Sequence, residues 1–554
     1  MNVAQWSLRI AGWFVLAGSS WAQTTRSSVD SSGVAGNDGS GNAQISADGR
    51  VVVFGSFATN LVAGDTNFRV DVFVHDRISG VTERVSVDSS DAEANDDSGW
   101  SSISADGRFV AFQSWASNLV AGDTNNLSDV FVHDRSTGIT ECVSVDLGGL
   151  PGDSMSFFNS IAADGRFVAF ESRCSNLVSG DTNGAPDVFV RDRLTGVTER
   201  VSVDSSGGQA KGSSAWPSIS PDGRIVVFQS DAATLVSGDG NGHVDIFVHD
   251  RSTGITERVT TDSSGIEADD DSYFPSVSAD GEVVAFMSDA TNLDPNDANS
   301  FSDVFVHDRR TGRTECVSLN QSGSAGDEES FKPISLSADG RFVSFTSDAD
   351  DLVWNDTNGN YDVFVRDRVQ GLTSRASVDS SGFEAHGGGS VGGSMTPDGE
   401  LVAFFSDAWS LVDNDDNHDA DVFVHDRCDA YWLDYDVGFP GTLGIPAFTA
   451  ESDPVLGSAL TLDLGNSLGV TTTGLLFIGF QRASLPTAWG GDLLVLPAFA
   501  IWMVVPASGA SFDGTLPNNP SLCNLTIDLQ TFEADPGAAS GISFTRGFEL
   551  ILER

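Results

Sequence analysis

The chain has 554 residues, of which 40% are hydrophobic, so it contains enough apolar material for several folded cores and is not expected to be disordered. Its formal net charge of -50 argues against nucleic acid and anionic membranes as partners, because both bind positive patches. Cations and basic surfaces are the expected counterparts of such an acidic chain.

The first 22 residues have the pattern of a secretory signal peptide. Arg9 precedes an apolar run at 10–17, and small residues around Ala22 suit a cleavage site. The next-longest apolar run, at 493–507, is too short and too interrupted by proline to cross a bilayer. The sequence therefore predicts an exported chain without a membrane span, located outside the cell, at its surface or in the periplasm.

A repeat of 58 or 59 residues follows this leader. Its units share an Asp-Gly pair preceded by Ala or Pro, at Asp48, Asp106, Asp164, Asp222, Asp280, Asp339 and Asp398. Each unit contains four short strand-like runs with tight turns between them. The second and third runs are almost continuously apolar, which indicates sheets covered on both faces. The pattern predicts an all-β, seven-bladed β-propeller, with a β-helix or an array of sandwiches as the weaker alternative.

Two tetrapeptides recur in these units. The first unit has Ser46-Ala47-Asp48-Gly49 and Asp71-Val72-Phe73-Val74, and the fourth has Ser220-Pro221-Asp222-Gly223 and Asp245-Ile246-Phe247-Val248. With these motifs, the units resemble the TolB-type, WD-like β-propeller repeat. The resemblance covers residues 24–427 and implies a propeller for that range.

The seventh unit lacks its own fourth strand. It continues as DVFVHDRCDAYWLDYD and never produces the T-x-R-x-S-V-D phrase that closes other units. A matching phrase occupies residues 24–30, one period before 82–88. We therefore expect this N-terminal segment to pair beside residues 421–427 and to latch the ring.

Every unit has an Asp-x-Asn-x-x-x-Asp motif in the loop between its second and third strands. Oxygen ligands at this spacing resemble half of a calcium loop. Short Asp and Asn side chains also stabilise turns by bonding nearby backbone N–H groups, and the sequence leaves both readings open. The candidate Ca²⁺ ligands are Asp65, Asn67, Asp71, Asp123, Asn125, Asp129, Asp181, Asn183, Asp187, Asp239, Asn241, Asp245, Asp297, Asn299, Asp303, Asp356, Asn358, Asp362, Asp415, Asn417 and Asp421.

Four aromatic residues share one position, six residues before the Asp-Gly pair and near the start of the innermost strand. They are Trp100, Phe158, Trp216 and Phe274, whereas Asn42 and Gly392 fill the position in the first and last units. An arc of aromatic rings around the channel mouth suits stacking on a sugar or a peptide. Packing between blades is the alternative.

No catalytic residue is predicted. Histidine precedes Asp-Arg at the end of the third strand in five units, but Arg191 and Arg366 replace it in two others. Because arginine does not act as a base at neutral pH, ion pairing at the surface is the better interpretation.

Five cysteines are an odd number for an exported chain, so at least one lies outside an intramolecular disulfide. Cys142 and Cys316 occupy the same position three units apart, which should keep them separate. Cys428 and Cys523 are candidates for a bond between the linker and the last domain.

After residue 428 the period stops. Alternating stretches such as ALTLDL and LTIDLQ predict a small β-sandwich over 433–554. The phrases Gly441-Thr442-Leu443-Gly444 and DPGAASGISFTRGFEL resemble a terminal module of secreted bacterial repeat proteins.

Taken together, the sequence predicts a signal peptide (1–22), a propeller (24–428) and a C-terminal sandwich (433–554). The short turns fall on one face of the propeller, and the long, variable loops fall on the other, where function is expected. The predicted function is a non-catalytic scaffold that binds a protein, peptide or glycan through its loop-rich face. A calcium-stabilised surface protein and a propeller lyase or hydrolase with a site at the channel mouth are the alternatives.

Overall fold

The computed structural model describes residues 24–353, 356–413, 415, 417, 419–427, 431–435, 448–450, 459–466, 468–487, 492–508, 510–515, 526–538, 542–545 and 547–551. Gln23–Arg427 belongs to one compact unit, and Cys428–Arg554 belongs to a second. In the described part of the chain, no helix is long and apolar enough to cross a membrane.

Seven four-stranded antiparallel sheets, here called blades one to seven, form the first unit. The first strands are β2 (Ser40–Ile45), β6 (Ser98–Ile103), β10 (Ser156–Ile161), β14 (Ser214–Ile219), β18 (Ser272–Val277), β22 (Ser330–Leu336) and β26 (Ser390–Met395). The second strands are β3 (Val51–Ser56), β7 (Phe109–Ser114), β11 (Phe167–Ser172), β15 (Ile225–Ser230), β19 (Val283–Ser288), β23 (Phe342–Ser347) and β27 (Leu401–Ser406). The third strands are β4 (Asp71–Asp76), β8 (Asp129–Asp134), β12 (Asp187–Asp192), β16 (Asp245–Asp250), β20 (Asp303–Asp308), β24 (Asp362–Asp367) and β28 (Asp421–Asp426). The fourth strands are β5 (Val81–Arg84), β9 (Ile139–Cys142), β13 (Val197–Arg200), β17 (Ile255–Arg258), β21 (Arg313–Cys316), β25 (Leu372–Arg375) and, in the seventh blade, β1 (Thr25–Arg26).

The seven sheets form a closed ring. Seven apolar clusters are each built from two successive blades. One of them joins the first blade to the last, through Ala43 and Val52 on one side and Ala403 and Val422 on the other. The first strands of all seven blades line one central cavity. This arrangement is a seven-bladed β-propeller, the fold class that the sequence predicts.

Paired phenylalanines fill the centre of each blade. In the first blade, Phe54 and Phe73 face each other across the second and third strands, with ring centroids 6.0 Å apart. Both rings are fully buried, because a neighbouring blade covers each face of the sheet. The continuous apolar runs in the sequence follow from this double coverage.

The Asp-Gly turns join the first and second strands of each blade. In the first blade, Ser46 Oγ donates to Asp48 Oδ1 at 2.6 Å, and the same oxygen accepts the Arg50 N–H at 3.1 Å. Gly49 has a φ of 70°, in the left-handed region, and a Cβ atom there would lie 2.2 Å from the side chain of Leu401. Glycine is therefore required both by the turn and by the adjoining blade.

The edge of the seventh blade is formed by β1. Thr25 pairs with Val424 and Arg26 with Phe423 in antiparallel register. The Ser27 N–H donates to the Val422 carbonyl at 2.7 Å. This strand lies beside β28, where every other blade has a fourth strand that follows its own third strand.

The described residues of the second unit form two antiparallel sheets. Their strands are β29 (Tyr431–Tyr435), β30 (Phe448–Ala450), β31 (Ala459–Leu464), β32 (Thr472–Pro486), β33 (Asp492–Val505), β34 (Ala510–Thr515), β35 (Thr526–Ala534), β36 (Ile542–Phe544) and β37 (Gly547–Ile551). One sheet has the order β29-β37-β35-β32-β33 with β36 beside β35, and the other has the order β30-β31-β34. Leu464, Leu476, Val505 and Leu529 form a buried cluster with residues from both sheets.

Candidate functional site in the central channel

The first strands of the blades are interrupted where they line the channel. In blade two, for example, the pairing register shifts between Gly99 and Ser102. Such a bulge redirects a side chain, and here the redirected residue lies in the left-handed region of φ. The residues concerned are Asn42 (55°), Trp100 (45°), Phe158 (43°), Trp216 (52°) and Phe274 (53°). Asparagine tolerates this conformation, but bulky residues rarely adopt it, at a cost of about 1–2 kcal/mol each.

The four aromatic residues predicted from the sequence come together as one cluster. Phe158 stacks on Trp216 with ring centroids 3.7 Å apart, and Trp216 meets Phe274 edge to face at 4.8 Å. Trp100 contacts Phe158 at 5.3 Å and Trp216 at 5.5 Å. Because Trp100 and Trp216 belong to blades that are not neighbours, their rings meet across the channel. The rings line the channel. The contact between Trp100 and Trp216 joins blades that are not neighbours, whereas the other three contacts join adjacent blades.

A lysine completes this cluster, and sequence reasoning missed it. Lys332 Nζ lies 4.2 Å from the ring centroids of both Trp216 and Phe274 and 5.6 Å from that of Trp100. An ammonium at this distance is attracted to the ring faces. Burial lowers the pKa of Lys332. The signal in the sequence is the single extra residue that lengthens the period to 59 between Asp280 and Asp339.

The cavity beside the aromatic cluster measures about 270 Å³. Its wall is asymmetric, because blades two to five contribute rings and blade six contributes the ammonium, whereas blades seven and one contribute Gly392 and Asn42. Hydroxyl and amide groups complete the wall. Asn159 Nδ2 donates to the Trp100 carbonyl at 2.7 Å, and Ser102 Oγ donates to Asn159 Oδ1 at 2.7 Å. The cavity therefore combines an apolar side, one cation and several polar groups, as small-molecule sites do.

Side chains of the second strands hold the bulges in place from the preceding blade. Gln113 Oε1 accepts the Phe158 N–H at 3.3 Å, and Gln229 Oε1 accepts the Phe274 N–H at 3.1 Å. Glu171 occupies the equivalent position and accepts the N–H of Trp216. Burial raises the pKa of Glu171 to about 7, and its Oε2 has no hydrogen-bond partner among the described residues.

The Asp-x-Asn-x-x-x-Asp residues also come together in every blade, around the asparagine. In the first blade, Asn67 Nδ2 donates to Asp71 Oδ2 at 2.8 Å and to the Ala94 carbonyl at 3.0 Å. Asn67 Oδ1 accepts the Arg69 N–H at 2.8 Å, which is an Asx turn. The corresponding turn closes on Asn125, Asn183, Asn241, Asn299, Asn358 and Asn417. The asparagine oxygen thus stabilises a turn in every blade, as the Asx-turn alternative expects.

An arginine lies between the two aspartates in five blades. In the first blade, Arg84 Nη1 lies 3.6 Å from Asp65, 3.3 Å from Asp71 and 2.9 Å from Glu93. In the seventh, Arg26 of β1 contacts Asp415 at 3.3 Å and Asp421 at 3.2 Å. The same place is filled by Arg200, Arg258 and Arg375 in blades three, four and six. In these five blades a guanidinium lies between two of the carboxylates that the sequence offers as calcium ligands.

Four of the five histidines of the third strands, His75, His133, His249 and His307, are buried, which corrects the expectation of surface ion pairs at these positions. His75 Nδ1 bonds Thr82 Oγ1 at 2.9 Å, and Arg191 Nη1 donates to the equivalent Thr198 Oγ1 at 3.0 Å. Burial lowers the pKa of His75. Histidine and arginine thus serve the same threonine hydroxyl.

Three cysteines, Cys142, Cys174 and Cys316, carry free thiols. Cys428 and Cys523, the candidates for a disulfide, lie outside the described residues.

No family model matches the chain, and no curated protein matches it. Solved structures with detectable similarity include a protein assigned as TolB from Agrobacterium tumefaciens, which is 18% identical, covers 50% of this chain and 80% of its own, and has a TM-score of 0.32. A prolyl endopeptidase is 11% identical, with 78% and 55% covered and a TM-score of 0.42, and the WD40 repeats of RRP9 are 8% identical, with 73% and 97% covered and a TM-score of 0.37. The propeller assignment rests on the strand pairing and the closed ring of interfaces described above.

Proposed function

We propose that this protein is an exported, non-catalytic propeller that binds a ligand in its central channel, with Trp100, Phe158, Trp216 and Phe274 as the contact surface. The observation that carries the proposal is that these four bulky residues have a left-handed backbone conformation, which such side chains disfavour. The left-handed conformation favours glycine or asparagine, and Asn42 shows that the fold accepts a small polar residue there. Four bulky aromatic residues at the same position cost stability, and strain of this kind concentrates at functional sites.

The chemistry of the wall favours a ligand that combines a ring or aliphatic face with a carboxylate. Rings offer flat apolar surfaces, while Ser102 and Asn159 lie where they can bond hydroxyl groups. The ammonium of Lys332 is held by aromatic faces, and an anionic group of the ligand would pair with it. An acidic sugar residue or an acidic peptide side chain meets these requirements.

Binding is best tested with arrays of neutral glycans, acidic glycans and peptides, followed by titration of the tryptophan fluorescence. The informative variant is Trp100→Asn, which copies the residue of the first blade and suits the local φ. We expect it to abolish binding while the unfolding midpoint changes little, because relief of strain offsets the lost ring contacts. Trp115→Ala is the control, since Trp115 is exposed and does not line the cavity. Binding that survives Trp100→Asn and Trp216→Ala would contradict the proposal.

We further infer that the finer organisation follows the sequence. The proposed domains are a signal peptide at 1–22, a propeller at 24–428 and a β-sandwich at 433–554, with residues 24–30 serving as the latch of the ring. The contacts of Arg26 and Ser28 with Asp421 support the latch. The shared cluster of the two C-terminal sheets supports the sandwich.

A further inference from the structure

Blades two and five differ from the other five in the loop that carries the paired aspartates. The position of the arginine is taken by Cys142 in blade two and by Cys316 in blade five. The crossover position that holds Glu93 in blade one is occupied by Pro151 and Ala325. Blades two and five therefore lack both the arginine and the third acid but retain the two aspartates. Blades three and seven have Gln209 and Ala35 at the crossover position and keep the arginine.

The remaining carboxylates are buried and point into the place that the guanidinium fills elsewhere. Asp123 and Asp297 are each only 7% exposed, and among the described residues their Oδ1 atoms have no hydrogen-bond partner. In the five arginine blades the corresponding Oδ1 lies 3.0–3.6 Å from a guanidinium nitrogen, so the difference is the nearby cation and not a hydrogen bond, which Asp65 Oδ1 and Asp356 Oδ1 also lack among the described residues. The five Oδ1 atoms belong to Asp65, Asp181, Asp239, Asp356 and Asp415. The second aspartates, Asp129 and Asp303, are fully buried.

Each thiol is part of the same small network. Cys142 Sγ lies 3.5 Å from Ser144 Oγ, which donates to Asp129 Oδ1 at 2.6 Å. Cys316 Sγ lies 3.5 Å from Ser318 Oγ, which donates to Asp303 Oδ1 at 2.5 Å. Two buried carboxylates that lie close together without a cation are unfavourable.

We propose that blades two and five each bind a thiophilic divalent cation of the Zn²⁺ class, held by Asp123, Asp129 and Cys142 in one blade and by Asp297, Asp303 and Cys316 in the other. Binding breaks the S–H bond, forms a metal–sulfur bond and releases the thiol proton to solvent. The ion then offsets two of the three negative charges of the carboxylates and the thiolate, as the guanidinium offsets part of the charge of the acids in the arginine blades. Carboxylate oxygen and thiolate sulfur are both zinc ligands, whereas calcium takes six to eight oxygens and no sulfur.

Outside the proposed sites, two groups of acidic and histidine side chains in the described residues have their ligand atoms within 4.8 Å of one another. Asp65, Asp71 and Glu93 already surround Arg84. His243 lies with Asp270 and Asp271 on the surface, where Arg69 pairs with Asp96 in the first blade. The ligand atoms of the proposed sites in blades two and five are not all within 4.8 Å of one another, so the proposal requires the thiol to turn toward the carboxylates when an ion binds.

The test is a titration of the reduced, metal-free full chain with Cd²⁺, whose bond to a thiolate produces an ultraviolet charge-transfer band. We expect two thiolate-dependent equivalents at the propeller sites, one of them lost in Cys142→Ser and the other in Cys316→Ser. Zn²⁺ should displace Cd²⁺ from both sites, and a large excess of Ca²⁺ should not. Cys174→Ser is the matched control, because this buried thiol lies outside both groups and its loss should leave both equivalents in place.

A second pair of variants distinguishes loss of the metal ligand from misfolding of the variant chain. Cys142→Arg and Cys316→Arg install the guanidinium of the other five blades, so each should fold with an unchanged or raised unfolding midpoint and should bind one Cd²⁺ fewer. Zn²⁺ should raise the midpoint of the parent chain, because it binds the native state, but should not raise that of the double arginine variant. Equal Cd²⁺ binding by the parent and the double arginine variant would overturn the proposal, as would displacement of Cd²⁺ by Ca²⁺.

Discussion

At the level of single residues, the channel and the loops differ in how well each residue type suits its local backbone and surroundings. In the loops, each Asp, Asn and Arg fits a local need, because the asparagine closes a turn and the arginine neutralises buried acids. In the channel, Trp100 and Trp216 occupy positions that their backbone conformation disfavours. A residue that suits its backbone needs no further explanation, but one that opposes it does. This contrast is why the channel is the candidate site for a glycan or peptide ligand.

Glu171 leads to a prediction on pH dependence. Its ordinary pKa of 4.5 rises to about 7 in the folded chain because the carboxyl group is buried. Between these values the folded chain binds a proton that the unfolded chain does not, so the free energy of unfolding falls as the pH rises through this window. We expect Glu171→Gln to raise the stability at pH 8 by an amount on the order of 3 kcal/mol and to have little effect below pH 4.5. Urea unfolding at a series of pH values measures this difference.

Gln229→Glu is the control for this experiment, since Gln229 accepts the same backbone N–H from Phe274. It should introduce a pH dependence of the same sign as that of Glu171. A Glu171→Gln variant with the parent's pH profile would show that the carboxyl group is already ionised in the folded chain.

The sequence identified the four aromatic residues but neither Lys332 nor Glu171. The aromatics were visible because they share one position in a strict period. Lys332 lies beside an inserted residue and therefore leaves the common register. The sequence around Glu171 does not indicate its burial, because its surroundings are formed by the bulge at Trp216 in the next blade. Contacts across the channel connect blades that are not neighbours, and a one-dimensional period cannot show which rings meet.

At the level of strands, the repeat period predicts the seven blades because each strand and turn is determined by its own short stretch of sequence. Apolar runs become doubly covered strands, and Asp-Gly pairs become tight turns. The histidines of the third strands were misjudged, because their burial depends on the threonine of the fourth strand, as His75 and Thr82 show. The paired aspartates were grouped correctly, but the arginine that joins them comes from another strand, so its role was missed.

The proposed latch predicts that β1 behaves like a fourth strand that is continuous with its blade. Ser28 Oγ donates to Asp421 Oδ1 at 2.5 Å and accepts the Val422 N–H at 3.0 Å. Ser86 makes the same two contacts in the first blade. Ser28→Ala and Ser86→Ala should therefore each lower the free energy of unfolding by about 2 kcal/mol. Chemical denaturation of both variants measures the comparison.

Removal of residues 24–30 should cost more, because it takes Arg26 away from a buried acid pair. Loss of one partner of a buried ion pair costs about 3–5 kcal/mol. Arg84→Ala in the first blade is the matched control for Arg26→Ala, since both guanidinium groups contact two buried aspartates. An unchanged melting temperature after removal of 24–30 would contradict the latch.

At the level of the whole molecule, apolar burial in the closed ring of blades stabilises the fold, while repulsion among the excess acidic residues opposes it. Seven interfaces bury a continuous ring of apolar residues, and the last of them joins the first blade to the seventh. The chain nevertheless carries 79 acidic residues against 29 lysines and arginines. Self-repulsion at such an imbalance opposes the compact state. The internal arginine sites relieve this repulsion where burial would make it most costly.

This balance predicts that simple salt stabilises the protein. Ions screen repulsion between exposed acids over a Debye length of about 8 Å at 0.15 M, but they screen the buried arginine sites much less. Arg84, for example, has a side chain that is only 9% exposed. Surface pairs such as Arg69 with Asp96 also weaken in salt, yet each contributes only about 0–1 kcal/mol.

The melting temperature should therefore rise as NaCl or KCl increases from about 0.01 M to 0.15 M, with a chelator present throughout. Equal effects of the two salts would identify screening as the cause, and a melting temperature that falls in both would mean that favourable ion pairs outweigh the repulsion of the excess acids.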